Sequence, residues 1–175
     1  MSIKQGVGKR DFFWPLQQAI TTRLRGAAVS PTATYESLIL TSAITGLPTP
    51  TIPSPKPVPI LDFAGVRKGT NPPYVTVGDV PSMVNADTKG GSAEEISHQI
   101  HIWSRYNGMY EVAFIGDQVL KLLTQYPLDM SAQSFNIISL RKEMDQCLFD
   151  GSFSHRVIRL RIMVEDLGLL QPINF

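Results

Sequence analysis

Glu95-Ile96-Ser97-His98-Gln99-Ile100-His101-Ile102-Trp103 is the stretch that decides the fold. Ile96, His98, Ile100 and Ile102 take alternate positions, and Ser97, Gln99, His101 and Trp103 take the others. Successive side chains of a strand point to opposite faces, so the segment predicts a strand with one face against a core. The same alternation returns over residues 156–166. There Ile158, Leu160, Ile162 and Val164 share one face, and Val157, Arg159, Arg161, Met163 and Glu165 share the other. One apolar and one polar face is the signature of an antiparallel sheet. Phe149-Asp150-Gly151-Ser152 predicts the hairpin turn back to a strand over residues 135–147.

Working outward, residues 11–25 predict a helix, with Phe13, Leu16, Ile20 and Leu24 as its apolar stripe and Pro15 in its first turn. Residues 110–125 predict a second, lined by Val112, Ile115, Val119, Leu122 and Leu123 and stopped by Pro127. A weaker amphipathic stretch covers 35–44. Residues 60–64 and 74–78 are short strand candidates, Asn71-Pro72-Pro73 is a turn, and the polar, glycine-containing residues 85–93 predict a loop. Helix, strands, helix and two strands, without βαβ repetition, give an α+β fold. The expected architecture is a single domain over residues 1–175, a largely antiparallel sheet packed by two main helices.

One segment fits neither layer. Pro48, Pro50, Pro53, Pro55, Pro57 and Pro59 punctuate residues 46–59. Each proline removes a backbone donor and restricts its predecessor, so the stretch predicts an extended, polyproline-like arm. Such an arm is a stiff spacer or a peptide laid on a neighbour, which makes Pro50, Pro53 and Pro55 candidate contacts.

Composition excludes more than it suggests. With 43% hydrophobic and 18% charged residues, the chain carries less charge than an average soluble protein, so a partner is expected to cover part of its surface. A net charge of +1 argues against a nucleic-acid binder working by bulk charge. The longest apolar run near the front, residues 37–44, is far short of a membrane span, and no signal peptide or lipidation box is expected. The lone Cys147 excludes an internal disulfide and is expected to be a small, buried packing residue.

No catalytic motif stands out: there is no His-Glu-x-x-His, Gly-x-Ser-x-Gly, phosphate-cradling loop or dinucleotide fingerprint. His98 and His101 are three apart, which on a regular strand places one inward and one outward, so they cannot share a metal. No catalytic residue, cofactor or metal is expected. Arg141, Lys142, Arg156, Arg159 and Arg161 could form a basic face on the last hairpin. That face is either solvated and balanced by Glu143 and Asp145 or a contact for another subunit or a polyanion. Residues 1–70 hold eight basic and three acidic side chains, a net +5, leaving −4 for the rest. Complementary halves suit head-to-tail packing of identical subunits in a ring.

From Tyr74 onward the chain resembles the tail-completion, or tail-terminator, proteins of long-tailed bacteriophages. The resemblance rests on pieces in serial order: Pro-Pro-Tyr-Val-Thr-Val-Gly-Asp at 72–79; His98 followed by Ile100-His101-Ile102-Trp103-Ser104-Arg105 and Gly108; Val119-Leu120 and Leu123 on a helix; then Asp150-Gly151, His155-Arg156 and a closing strand to Val164-Glu165. The proline-rich stretch from about residue 27 to 59 is longer than that pattern needs. The resemblance implies a structural virion protein that forms a ring, a homohexamer, at the head–tail junction. Such a ring ends polymerisation of the tail tube and docks to the head connector, and genomic DNA passes through its lumen without specific binding. Expected partners are other copies of the chain, the major tail tube protein and the connector or stopper. Assembly is expected in the host cytoplasm, with no membrane involved. Competing readings are a stopper protein of the same joint, a small enzyme built on His98 or His101, and an adaptor offering its arm to an aromatic groove.

Overall fold

In a computed structural model of the chain, residues 11–25, 58–66, 69–88, 91–125, 127–149 and 151–170 are described. The elements in order are α1 (Phe13–Leu24), β1 (Ile60–Asp62), a 3-10 turn (Phe63–Gly65), β2 (Tyr74–Thr88), β3 (Gly91–Ser104), α2 (Tyr110–Thr124), β4 (Phe135–Phe149) and β5 (Ser154–Asp166). The fold is α+β, as the alternations imply. The stretch 35–44 and the arm as far as residue 57 lie outside the described residues.

The five strands form one sheet in the order β1-β2-β3-β5-β4, antiparallel throughout except for the short β1, which runs parallel to β2. Ile100 pairs with Ile158 on one side and Val77 on the other, and Ile96 pairs with Ile162. These fully buried side chains point toward the helices, where Leu16, Ile20 and Leu24 of α1 and Val112, Val119 and Leu123 of α2 close the core. The periodicities of 2 and 3.6 therefore meet in a two-layer packing.

The helix stripes explain how the ends are held. Asp11 accepts from the Phe13 N–H at 2.9 Å and opens α1. At its other end Arg23, almost fully buried, donates to the Pro127 carbonyl just beyond α2. Arg25 donates to the Ile60 carbonyl at 2.8 Å and so ties α1 to β1. Val58 is buried, and the Pro59 carbonyl accepts from Val75 N–H at 2.9 Å. The last two residues of the expected arm thus belong to the sheet edge, because Val58 supplies an apolar side chain the core can take.

One expectation needs correction. Residues 85–93 are mostly strand: β2 runs to Thr88 and β3 starts at Gly91, with Asn85 paired to Glu94 and Asp87 to Ser92. Backbone pairing between the two strands holds such a ribbon without an apolar period, its outward-facing peptide groups being left to solvent, which is why the pattern gave no sign of it. Gly78, at φ +103°, sits where the β2 register shifts, and a Cβ there would lie 2.6 Å from the Gln17 side chain of α1. Glycine supplies both the conformation and the clearance.

Gly116 sets a comparable constraint in α2. An added Cβ would come within 2.5–2.7 Å of three Arg156 side-chain atoms. Alanine gains about 1 kcal/mol of helix propensity over glycine, yet Gly116→Ala is expected to destabilise, because Arg156 is held from several sides and has little freedom to retreat. In an Arg156→Met background the same change should cost less or stabilise. A double-mutant cycle by urea denaturation checks this, and an unchanged cost in both backgrounds would refute it.

Candidate functional site

The outer face of the sheet, away from the helices, carries two zones. The first lies on the β4–β5 hairpin. Arg141 and Arg161 are directly paired across the strands, and Arg159 follows on the same face. Arg161 donates to Glu143 at 2.5 Å and lies 3.7 Å from Glu95, and Arg141 reaches the same Glu95 oxygen at 3.3 Å. Ser97 donates to the other Glu143 oxygen at 2.7 Å. The Ser97 hydroxyl, with Arg161 beside it, holds the Glu143 carboxyl below its ordinary range. Alternating signs in a solvated network present a specific charge pattern rather than a broad positive field.

Arg156 does not belong to that face, contrary to expectation. It shares parity with Ile158 and points to the helix side, where its side chain is 7% exposed. Its guanidinium forms a two-point contact with Asp145 (Nε–Oδ1 and Nη2–Oδ2, each 2.8 Å), a 2.5 Å bond to the Ala113 carbonyl and a 3.0 Å bond to Asp117. This fork pins α2 to the hairpin. The hydrogen bonds from Arg156 lower Asp145 to about 2. Asp145 was thus correctly suspected of balancing charge, but it does so on the inner face.

The second zone was not anticipated. Tyr74, Trp103, His155 and Leu148 pair in register across β2, β3, β5 and β4, so they form one row over four strands of the outer face. Trp103 and His155 stack at 3.8 Å with 8° between planes, and Tyr74 lies 6.5 Å from Trp103. In the next row His101 stacks on His155 at 5.1 Å, with its Nδ1 2.9 Å from His155 Nε2, and Phe63 is 6.3 Å from His101. One ring of that hydrogen bond must accept, so at least one imidazole is neutral. Phe63 is 51% exposed and Leu148 45%, while Tyr74, His101, Trp103 and His155 are half-buried, so the rows form a partly open, ring-rich surface. Parity placed His101 and Trp103 outward; only the cross-strand register brings Tyr74, His155 and Leu148 beside them.

Burial, with His101 nearby, pushes His155 down to about 4 from 6.5. Between those values the unfolded chain binds a proton that the folded one refuses, so acid favours unfolding. Stability is expected to be full above pH 6.5 and to decline as pH falls toward 4. His155→Gln should flatten that slope in urea midpoints measured across this range; an unaltered slope would refute the assignment.

Other candidates are placed as follows. His98 is fully buried on the inner face, with the Phe13 ring 6.3 Å away, opposite in direction to His101. Cys147 is exposed and not a packing residue, because it lies near the free end of the edge strand β4. Desolvation raises its pKa, the reverse of an activated thiolate. Pro50, Pro53 and Pro55 lie outside the described residues. Among the described residues no group of three or more His, Cys, Asp or Glu could hold a metal ion. An open groove of about 420 Å³ beside α1 is lined by Trp14, Gln17, Thr21, Arg25 and Asp62 among others, without a nucleophile–base pair.

The fold and these two zones define a small α+β protein whose distinctive surfaces are suited to contact. The family model for tail completion protein gp17 matches residues 60–165, which takes in β1 and all but the last residue of β5. The chain belongs to that family and is a structural tail protein of bacteriophage virions. Among solved structures it is similar to a chain of the virion of a native gene transfer agent (GTA) particle. The TM-score is 0.60 at 18% identity, covering 86% of this chain and 94% of that one, a likeness of fold. No curated protein matches.

Proposed function

We propose that residues 1–175 act as one tail-terminator unit, six copies of which form a ring on the last layer of the tail tube at the head–tail junction. The observation that carries this is the tail-completion family match across the whole sheet and α2. The ring ends tube polymerisation, presents a docking surface to the head connector and lets genomic DNA pass without specific binding. The role is structural, with no catalysis and no cofactor.

Three features support the reading. A net charge of +1 suits a lumen through which DNA slides, since many phosphate contacts would hold it. The +5 and −4 halves suit a heterologous contact that closes into a ring. Arg141, Arg159 and Arg161, interleaved with Glu95 and Glu143, give a face whose charge pattern sets register between subunits. Pro50, Pro53 and Pro55 supply a further contact to a neighbouring subunit or tail protein.

The test is to incubate purified protein with tail tubes formed in its absence and then add tube protein. Capped tubes of fixed length, with a ring of density at one end in negative stain, are expected. Tubes that continue to elongate at the uncapped rate would overturn the proposal.

A further inference from the structure

The Tyr74–Trp103–His155–Leu148 row is a partly exposed, ring-rich surface with an unassigned occupant. Its chemistry is specific: four directly paired side chains, three of them flat rings, and no carboxylate or permanent cation within the row. Tyr74 and Trp103 stand 6.5 Å apart with 30° between their planes, looser than the 3.8 Å Trp103–His155 stack. Extended proline-rich segments bind such ring-lined surfaces, because they are already stiff and lose little freedom on docking.

The chain carries a matching segment. Gly46-Leu47-Pro48-Thr49-Pro50-Thr51-Ile52-Pro53-Ser54-Pro55-Lys56-Pro57 has a single charge. In a threefold polyproline helix Pro50 and Pro53 fall on one side, as do Ile52 and Pro55. At about 3.1 Å per residue, the six residues 50–55 extend for roughly 15 Å. Three strand spacings of about 4.8 Å, the width of the row, come to nearly the same length. The segment also re-enters the fold at the right place. Pro59 is hydrogen-bonded beside Val75, one residue from Tyr74, at the β1 end of the row.

We infer that the row is the docking surface for the proline-rich segment 46–57, which lies along the Tyr74, Trp103 and His155 rings. The inference concerns what the segment touches and holds whether the segment comes from the same molecule or another; the second case is the one the ring reading requires.

Trp14→Phe leaves Trp103 as the sole indole in the full-length protein. In that background, Pro50, Pro53 and Pro55 all changed to Ser should red-shift Trp103 emission and increase its quenching by acrylamide, with the circular dichroism spectrum unchanged. A synthetic peptide of residues 46–58 should reverse both changes. Isotope-filtered NOEs in a mixture of labelled and unlabelled protein then assign the contact. Proline-to-Trp103 NOEs between molecules support the docking and the ring reading together; NOEs within one molecule support the docking and count against the arm as an intersubunit contact. Unaltered Trp103 emission and quenching in the triple-Ser protein, with no proline-to-ring NOE of either kind, would overturn the inference.

Discussion

Arg156→Met is expected to cost about 3 kcal/mol, at the lower end of the range for removing one partner of a buried ion pair. The low end applies because Asp117 is 73% exposed and stays hydrated, whereas Asp145, 18% exposed, loses its two-point partner and keeps only Lys142, 3.0 Å away. For a chain of this size the melting temperature should fall by roughly 6–12 °C. The variant has a second, independent signature. Asp145 sits at about 2 in the folded protein against an ordinary 3.8. Its contribution is therefore full above about pH 4 and is lost as pH falls through 2. In Arg156→Met that acid-side loss should shrink. A melting temperature within 1–2 °C of the parent, with the acid limb unchanged, would refute the role given to the fork, since each 1 kcal/mol moves a chain of this size by about 2–4 °C.

Ile100→Ala should cost about 4 kcal/mol, toward the upper part of the range for a buried aliphatic truncated in a rigid site. Ile100 is fully buried on the central strand, paired with Val77 and Ile158, whose backbones are held on both sides and cannot collapse into the gap. Ile138→Ala, an exposed aliphatic on edge strand β4, should cost well under 1 kcal/mol by comparison. Urea denaturation of the pair checks the contrast; equal costs would mean that β3 is not the centre of the core.

How much of this was legible in the sequence follows from which signals are local. The alternations at 95–103 and 156–166 survive in the structure because each strand has one apolar and one polar face, and a period of two needs no knowledge of the partner. Both helices were readable for the same reason. The extension of β2 and β3 through residues 85–93 was not, since a backbone-paired ribbon of polar residues carries no hydrophobic period. Charge alone groups Arg156 with Arg159 and Arg161, whereas its parity with Ile158 puts it on the buried face. What parity could not reveal was the acceptor set, Asp145, Asp117 and the Ala113 carbonyl, gathered from three elements. The aromatic row is non-local in the same way: residues 74, 103, 148 and 155 become neighbours only through the order β2-β3-β5-β4. The exposure of Cys147 is not legible locally, because nothing in the surrounding sequence marks β4 as the sheet edge.

A protein that ends the tail tube and joins it to the head should leave two visible defects when it is missing. The most direct measurement is electron microscopy of a lysate from a phage lacking the gene. Filled heads lying apart from headless tails, with the tails abnormally long, are the expected result. Loose tails of normal length would contradict the termination role and move the protein to the head side of the joint, and intact virions would contradict the account altogether.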